Sequence, residues 1–585
     1  MSIARPSTPE GFDASRAAER AVDPTGWSYD DAERAAVHRV IAERRDIRRF
    51  RPDPIPADVL ERILAAAHRA PSVGLMQPWR FLVVSGDATR LGVRRLAQRE
   101  RLRQADRFTE RAGHFLDQKI EGIFEAPLGV VVCCDHGDPE TEVLGRGTIP
   151  ETDIYSTACA IENLWLAARA EGVGVGWVSF YRPQDLRALL GIPNRVDPIA
   201  YLCLGWPDER PVRPGLEAAG WSSRMPLDAV VMRERWQGET GEAAEVSATV
   251  PDRAGAIAAR DRLDALVKPA GSLGALEPLI ERWAGVTGSA PPARPRAGVL
   301  VCAADHGHVA RGTSLFDAEV SAQVAAASAR GDTAVGVLAR QGGHALLVAD
   351  LGLIGATPDG VRDAKIAPGT ADFGAGPALT AEQVDAALAT GATLAADLID
   401  GGVDCLVLGE IGIGNTTTTA ALIGTLTGAR PAVTVGRGTG VDAAGLERKR
   451  AVVADALDRH GAPLPVTDAL RAVGGLELTA LTGAMLEATR RRIPVILDGY
   501  AVTAAALAAV ALDPGVAEVV FASHRSAEPG HTLALVELGL EPLLDLRMRL
   551  GEASGGLLAL PIIGAAGALH REMSTFAEAG VTPRG

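Results

Sequence analysis

In Arg44-Arg45-Asp46-Ile47-Arg48-Arg49, four arginines in six positions flank a single carboxylate. Guanidinium groups stay charged and match phosphate oxygens two at a time, so the stretch suits a phosphate clamp; a solvated basic turn is the alternative. In Gly412-Ile413-Gly414-Asn415-Thr416-Thr417-Thr418-Thr419-Ala420, glycines and Asn415 stand where an apolar run gives way to a helix-like stretch. Such a turn can bind phosphate through backbone amides and a helix N-terminus. It lacks the Gly-Lys-Ser/Thr ending of an ATP-type loop. A second glycine-rich loop, Gly436-Arg437-Gly438-Thr439-Gly440, precedes Lys449, and Glu410 and Glu552 each sit beside a glycine. His306, His308, His524 and His531 have neither the spacing nor the cysteine partners of a metal site, so no metal is expected.

These residues need elements to hold them. Beyond residue 250 an apolar run repeatedly ends in a polar or glycine-rich turn, at 297–307, 344–352, 405–415, 493–499 and 519–526. Continuous apolar runs suit strands buried on both faces, which implies α/β with a parallel Rossmann-like sheet and accessory helices. Ligands of such sheets bind outside the carboxyl ends of the strands, where this chain carries Asp305, His306, Glu410, Asp498, His524 and Arg525. Earlier in the chain, Val59, Leu60, Ile63, Leu64 and Ala67 mark one helical face, and Ala158, Ile161, Leu164, Trp165 and Ala168 another. A strand-like Gly172–Ser179 follows, and the mixture reads as α+β.

With 585 residues, length alone suggests three or four units of roughly 150 residues. The polar, acidic stretch 237–250 marks a linker, and 1–28 a flexible N-terminal tail, which leaves domains at 29–236 and 251–585. A composition 47% hydrophobic and 23% charged is that of a core-forming globular chain. A net charge of -14 disfavours a general nucleic-acid binder. Six cysteines without CxxC spacing read as reduced and structural. No secretory signal is visible, and the longest apolar stretch, 500–512, falls short of the ~18 residues a membrane span needs, so a cytoplasmic location is expected.

The stretch from Ala70 to Trp79, with Ser72, Gly74 and Gln77, resembles a segment of the nitroreductase-like flavoproteins. The arginine stretch resembles the one that holds FMN phosphate in that family. Gly172–Ser179 resembles a strand beside the flavin, and Leu202-Cys203-Leu204-Gly205-Trp206-Pro207 the closing flavin-contact strand. The likeness covers roughly residues 30–235. It implies a nitroreductase-like FMN fold with Arg44, Arg45, Arg48, Ser72, Gly74, Gln77, Leu204 and Gly205 at the cofactor. Asp46 stands where ordinary nitroreductases usually carry Ser, and Gly74 where they often carry Asn. Those departures resemble 5,6-dimethylbenzimidazole synthase, which consumes reduced FMN with molecular oxygen. The resemblance implies that Asp46 moves protons where a Ser hydroxyl could not. Ser179 would orient Asp46 or the ribityl chain, and Gly74 would leave room at the ring. His68 and His114 read as surface or helix residues.

KPAGSLG, AADHG, LGEIGIGNTT, GRGTG, PVILDGY, SHRSAEPGH and LLDLRMRLGEASGG together resemble nicotinate-nucleotide–dimethylbenzimidazole phosphoribosyltransferases along residues 255–575. The resemblance implies displacement at C1′ of nicotinate mononucleotide by a benzimidazole nitrogen. Glu552 would be the general base and Glu410 an electrostatic stabiliser of the ribosyl centre. Gly412, Gly414, Asn415, Thr416, Gly436, Gly438 and Lys449 would hold the nucleotide, and Ser314 the base. Ala270 and Asp317 depart from the family pattern, and Asp317 leaves the base preference open. The two halves would then catalyse consecutive steps in cobalamin lower-ligand synthesis. A separate flavin reductase would supply reduced FMN, and a homodimer follows from both families. An NAD(P)H-dependent nitroreductase or a flavin sensor fused to the transferase are the alternatives.

Overall fold

The computed structural model describes residues 26–582 except 27, 106, 109–111, 120, 139, 235, 237–250 and 439. The linker and nearly all of the N-terminal tail therefore lie outside the described residues. Two compact units emerge, one within Thr25–Gly241 and one containing Glu242–Gly585. The second stays undivided because a single continuous core runs through it. That is why two units, and not the three or four suggested by length, account for the chain.

The first unit is a four-stranded antiparallel sheet in the order β1 (Trp79–Val84), β2 (Leu128–Asp135), β4 (Val196–Gly205), β3 (Gly174–Val178). Helix α1 (Asp31–Glu43) starts at an Asp30–Glu33 capping box and buries no residue. Helix α2 (Ala57–His68) brings Ile63 and Ala67 against Ile161, Leu164, Trp165 and Ala168 of α3 (Thr152–Ala170), so both expected helical faces meet on one side of the sheet. After α1 the chain joins the sheet edge: Asp46 bridges Val175, and Phe50 bridges Pro207. The Ile47 N–H donates to Val175 O at 2.9 Å and the Arg51 N–H to Trp206 O at 2.8 Å. Gly176 permits this approach, since a Cβ there would lie 2.2 Å from Ile47 O.

The second unit has six parallel strands in the order β10 (Val520–Ala522), β9 (Val495–Leu497), β8 (Cys405–Ile411), β5 (Ala297–Ala304), β6 (Ala345–Gly352), β7 (Arg362–Asp363). Each of the five apolar runs supplies one strand, and β5 and β8 are buried along their whole length, as a two-sided sheet requires. Helix α4 (Asn415–Thr427) leaves β8, α5 (Leu476–Arg490) and the Ala-rich α6 (Tyr500–Leu512) pack inside, and α7 (Ser554–Glu572) follows the last loop. Among the described residues no helix is long and apolar enough to cross a membrane. The described cysteines are free; Cys159 is exposed and the other five are buried.

Candidate active sites

In the first unit the site is the edge segment beside β3. The Asp46 carboxylate accepts the Trp177 N–H at 2.9 Å and pairs with the Arg48 guanidinium. Burial raises its pKa above the ordinary aspartate value, while Arg48, the Trp177 N–H and Arg44 pull it down. Glu209 accepts the backbone N–H groups of Arg48 and Arg49 at 2.6 and 3.0 Å and so fixes the turn; no sequence motif pointed to it. Arg44 lies 4.7 Å over the Trp165 ring and 3.4 Å from Glu162. Arg45 donates to the carbonyls of Ala42, Arg44 and Val212. Arg45 Nε and Arg48 Nη1 are buried N–H groups without a hydrogen-bond partner among the described residues.

Other expected flavin residues take roles of their own. Ser72 Oγ accepts the Gln77 N–H at 3.1 Å. Gly74 has φ +50°, and a Cβ there would lie 2.8 Å from Val143 Cγ1 and 2.9 Å from Leu144 O, so glycine is demanded by the backbone as well as by any ring. Ser179 is exposed just beyond β3, and the bonds of Asp46 are to Trp177 and Arg48. Leu204 is fully buried in the core, and a Cβ on Gly205 would meet Pro127 and Phe50. His68 accepts Trp79 Nε1 at 3.1 Å, and His114 stacks on Trp221. Among the described residues Cys134, His136 and Asp153 form one group with metal-compatible spacing, but His136 is held by Asp153 at 2.7 Å and Asp197 at 3.0 Å.

In the second unit four carboxylates meet at the carboxyl ends of the strands. Glu410 is the penultimate residue of β8, and Asp498 follows β9. Burial, then the charges of Asp498, Glu477 and Glu552, holds the Glu410 pKa well above the ordinary glutamate value; Asn415 Nδ2 donates to it and opposes the rise. Glu552 lies in a run of three left-handed residues, Gly551 (φ 86°), Glu552 (59°) and Ala553 (60°). Such a conformation costs a non-glycine residue about 1–2 kcal/mol and here aims the carboxylate. The turn is anchored because Asp498 Oδ1 accepts the N–H groups of Gly555 and Gly556 at 2.7 and 3.2 Å. Burial also raises the Glu552 pKa, against a bond from Thr333. Sequence reasoning marked Asp498 only as a strand end, and Glu477 and Thr333 carried no signal in it.

The nucleotide loop sits beside these acids. Gly414 (φ 96°) precedes α4, and the Asn415 N–H turns back to Gly412 O at 3.1 Å. Lys449 is 1% exposed, its Nζ donates to Thr416 Oγ1 at 2.8 Å, and burial lowers its pKa. The charge of the Glu528 carboxylate opposes that fall and partly compensates the buried ammonium. The second loop is partly committed: the Gly438 N–H donates to Glu528 Oε1 at 2.8 Å, and Arg549 donates to Gly438 O at 3.0 Å. Gly436, Gly438, Arg437, Arg450, Glu528 and Arg549 line a cavity of about 410 Å³. Ser314 Oγ accepts the Phe316 N–H at 3.2 Å on the loop before the helix Glu319–Arg330. A larger cavity, about 1040 Å³ near Arg262 and His570, contains none of the candidate residues.

A buried cation by a glycine turn, acids at the strand ends and a parallel sheet define a group-transfer enzyme acting on a phosphate-bearing substrate. Residues 248–581 match the family model described as phosphoribosyltransferase, and this chain belongs to that family. Residues 41–206 match the nitroreductase family model, so the chain is a fusion. It is 49% identical over 335 residues to the nicotinate-nucleotide–dimethylbenzimidazole phosphoribosyltransferase of Mycobacterium avium, covering 57% of this chain and 96% of the relative. The enzyme of that name from Chloroflexus aurantiacus is 48% identical over 337 residues, covering 57% and 95%. The crystal structure of CobT from Thermus thermophilus aligns with a TM-score of 0.54 and 44% identity, over 56% of this chain and 98% of that one.

Proposed function

We propose that the chain makes 5,6-dimethylbenzimidazole in its first unit and joins it to phosphoribose in its second. The observation that carries this reading is the pairing, in one chain, of a carboxylate set among arginines on a nitroreductase-family sheet with a transferase unit whose relatives are named for dimethylbenzimidazole. In the first unit, Arg45 and Arg48 hold the FMN phosphate through their unpartnered N–H groups. Reduced FMN, oxidised by molecular oxygen, supplies the xylene ring, its two attached nitrogens and one ribityl carbon of the product, and leaves erythrose 4-phosphate and the remains of the pyrimidine ring. Asp46 exchanges a proton at its carboxylate, and its raised pKa brings that exchange nearer neutral pH. A separate flavin reductase supplies the reduced flavin, and the chain acts as a homodimer in the cytoplasm.

In the second unit, Lys449 and the Gly412–Thr416 loop take the phosphate of nicotinate mononucleotide. Glu552 removes the benzimidazole N–H proton as the ring nitrogen displaces nicotinate at C1′, giving α-ribazole 5′-phosphate. A cationic nicotinate ring bound beside Glu410, Glu477 and Asp498 draws the Glu410 carboxyl back toward its charged form, so that it stabilises the positive charge that develops on the ribosyl carbon. Ser314 contacts the base. Reduced FMN exposed to air with the purified protein tests the first step by mass spectrometry. Loss of flavin with formation of dimethylbenzimidazole is expected. Steady NAD(P)H oxidation, or repeated redox cycles with the flavin intact, would instead mark a nitroreductase or a sensor.

A further inference from the structure

Beneath the nucleotide loop a chain of buried groups runs to Glu477, and no step above uses its histidines and threonines. His308 Nδ1 meets Thr313 Oγ1 at 2.8 Å, and His308 Nε2 meets Thr418 Oγ1 at 3.1 Å. Thr418 Oγ1 also meets His306 Nδ1 at 3.0 Å, and His306 Nε2 lies 3.1 Å from Glu477 Oε1. All five residues are 0–3% exposed. The direction of the chain follows from one end. The Thr313 hydroxyl donates to His308 O at 3.3 Å, so it accepts from Nδ1–H of His308. Burial keeps His308 neutral, its pKa being lowered well below the ordinary value, so its Nε2 accepts from Thr418. Thr418 has one hydrogen, so it accepts from Nδ1–H of His306. Every donor therefore points from His306 toward the backbone of residue 308.

This wire joins two substrate subsites. A Cβ on Gly412 would lie 3.1 Å from His306 Nε2, and one on Gly414 would lie 3.0 Å from His308 Cε1, so the nucleotide loop rests on both imidazoles. Thr418 belongs to α4, which that loop begins, while Thr313 precedes Ser314 on the exposed base-side loop. We infer that His308 is a positioning residue that holds the base-side loop in register with the nucleotide loop, with His306 fixing the Thr418 hydroxyl from the other side. His308 ties Thr313 to Thr418 and so sets affinity for the benzimidazole without touching it. The inference rests on the transferase reading given above. The nucleotide loop has β8 and α4 to hold it, whereas the base-side loop is exposed at Leu315 and Phe316, so breaking the wire loosens the base side.

Initial rates over a matrix of nicotinate mononucleotide and dimethylbenzimidazole test this in the full-length chain and in Thr418→Val, Thr418→Ser, Thr313→Val and the Thr313→Val/Thr418→Val double variant. Thr418→Val should raise KM for the base about tenfold, as loss of a coupled hydrogen-bond pair does, with KM for the nucleotide within about twofold. Thr418→Ser, which keeps the hydroxyl, should restore it. Thr313→Val should match Thr418→Val, and the double variant should be no worse than either, since one wire is cut twice. A KM for the base unchanged in Thr418→Val, or effects of the two substitutions that multiply, overturns the inference. If the wild-type chain shows no turnover with this substrate pair, the transferase reading itself has failed. Amide hydrogen exchange across 309–317 then still decides the wire, since it must speed up in Thr418→Val and not in Thr418→Ser.

Discussion

Asp46 and Glu552 are both carboxylates whose surroundings raise their pKa, and both are placed by backbone rather than by another catalytic side chain. Asp46→Asn keeps shape and leaves Arg45 and Arg48 to bind flavin. Flavin affinity should therefore persist while dimethylbenzimidazole yield from reduced FMN falls about 10²–10⁴-fold, the usual worth of a general acid or base. An unchanged yield, read by mass spectrometry, removes Asp46 from the chemistry. For Glu552 the sign of the pH effect is fixed. A base with a raised pKa is protonated, and lost, below a pH that lies above the ordinary glutamate range. Transferase kcat/KM should fall on the acid side there and level off above it. Glu552→Gln should abolish that limb and reduce turnover by about 10²–10⁴-fold, and a retained acid limb would move the base elsewhere. Gly74 differs in kind. Its positive φ and the nearby Leu144 backbone mean that any substitution strains the loop before it can touch a ring.

At the scale of elements, the first site exists because an edge segment lies directly on β3. Gly176→Ala would place a methyl 2.2 Å from Ile47 O and 3.2 Å from Arg48 Nη1, forcing the arginine turn off the sheet. Such overpacking costs about 1–3 kcal/mol. Flavin affinity, measured by fluorescence titration, should drop at least tenfold while transferase rates stay unchanged; undiminished flavin binding would show that the turn does not need this seat. The second site was the more legible of the two in the sequence. Apolar runs buried on both faces announce a parallel sheet, and a parallel sheet places Glu410 and Asp498 at one edge. Glu552 was legible only through family likeness, because a left-handed turn anchored by Asp498 leaves no periodic signal. The antiparallel sheet was harder to read, since a segment that joins it by single bridges at Asp46 and Phe50 has no strand-like pattern of its own.

For the whole molecule, each unit has its own core and its own site residues, with no candidate residue drawn from the other unit. Cutting the chain near Gly241 should therefore give two proteins, each active. With saturating substrates the cut and intact forms should perform alike. When a second enzyme consumes free dimethylbenzimidazole, the intact chain should retain more product, because a short tether corresponds to partner-site concentrations on the order of millimolar. Equal trap sensitivity would mean that the fusion brings no transfer advantage. The central claim, that one chain makes a base and then uses it, is tested most directly by supplying purified protein with reduced FMN labelled in its xylene ring, oxygen and unlabelled nicotinate mononucleotide. The expected result is α-ribazole 5′-phosphate carrying the flavin label, together with free nicotinate. Intact labelled flavin, in a protein that still converts added dimethylbenzimidazole to the nucleotide, would contradict the claim and leave only the transferase.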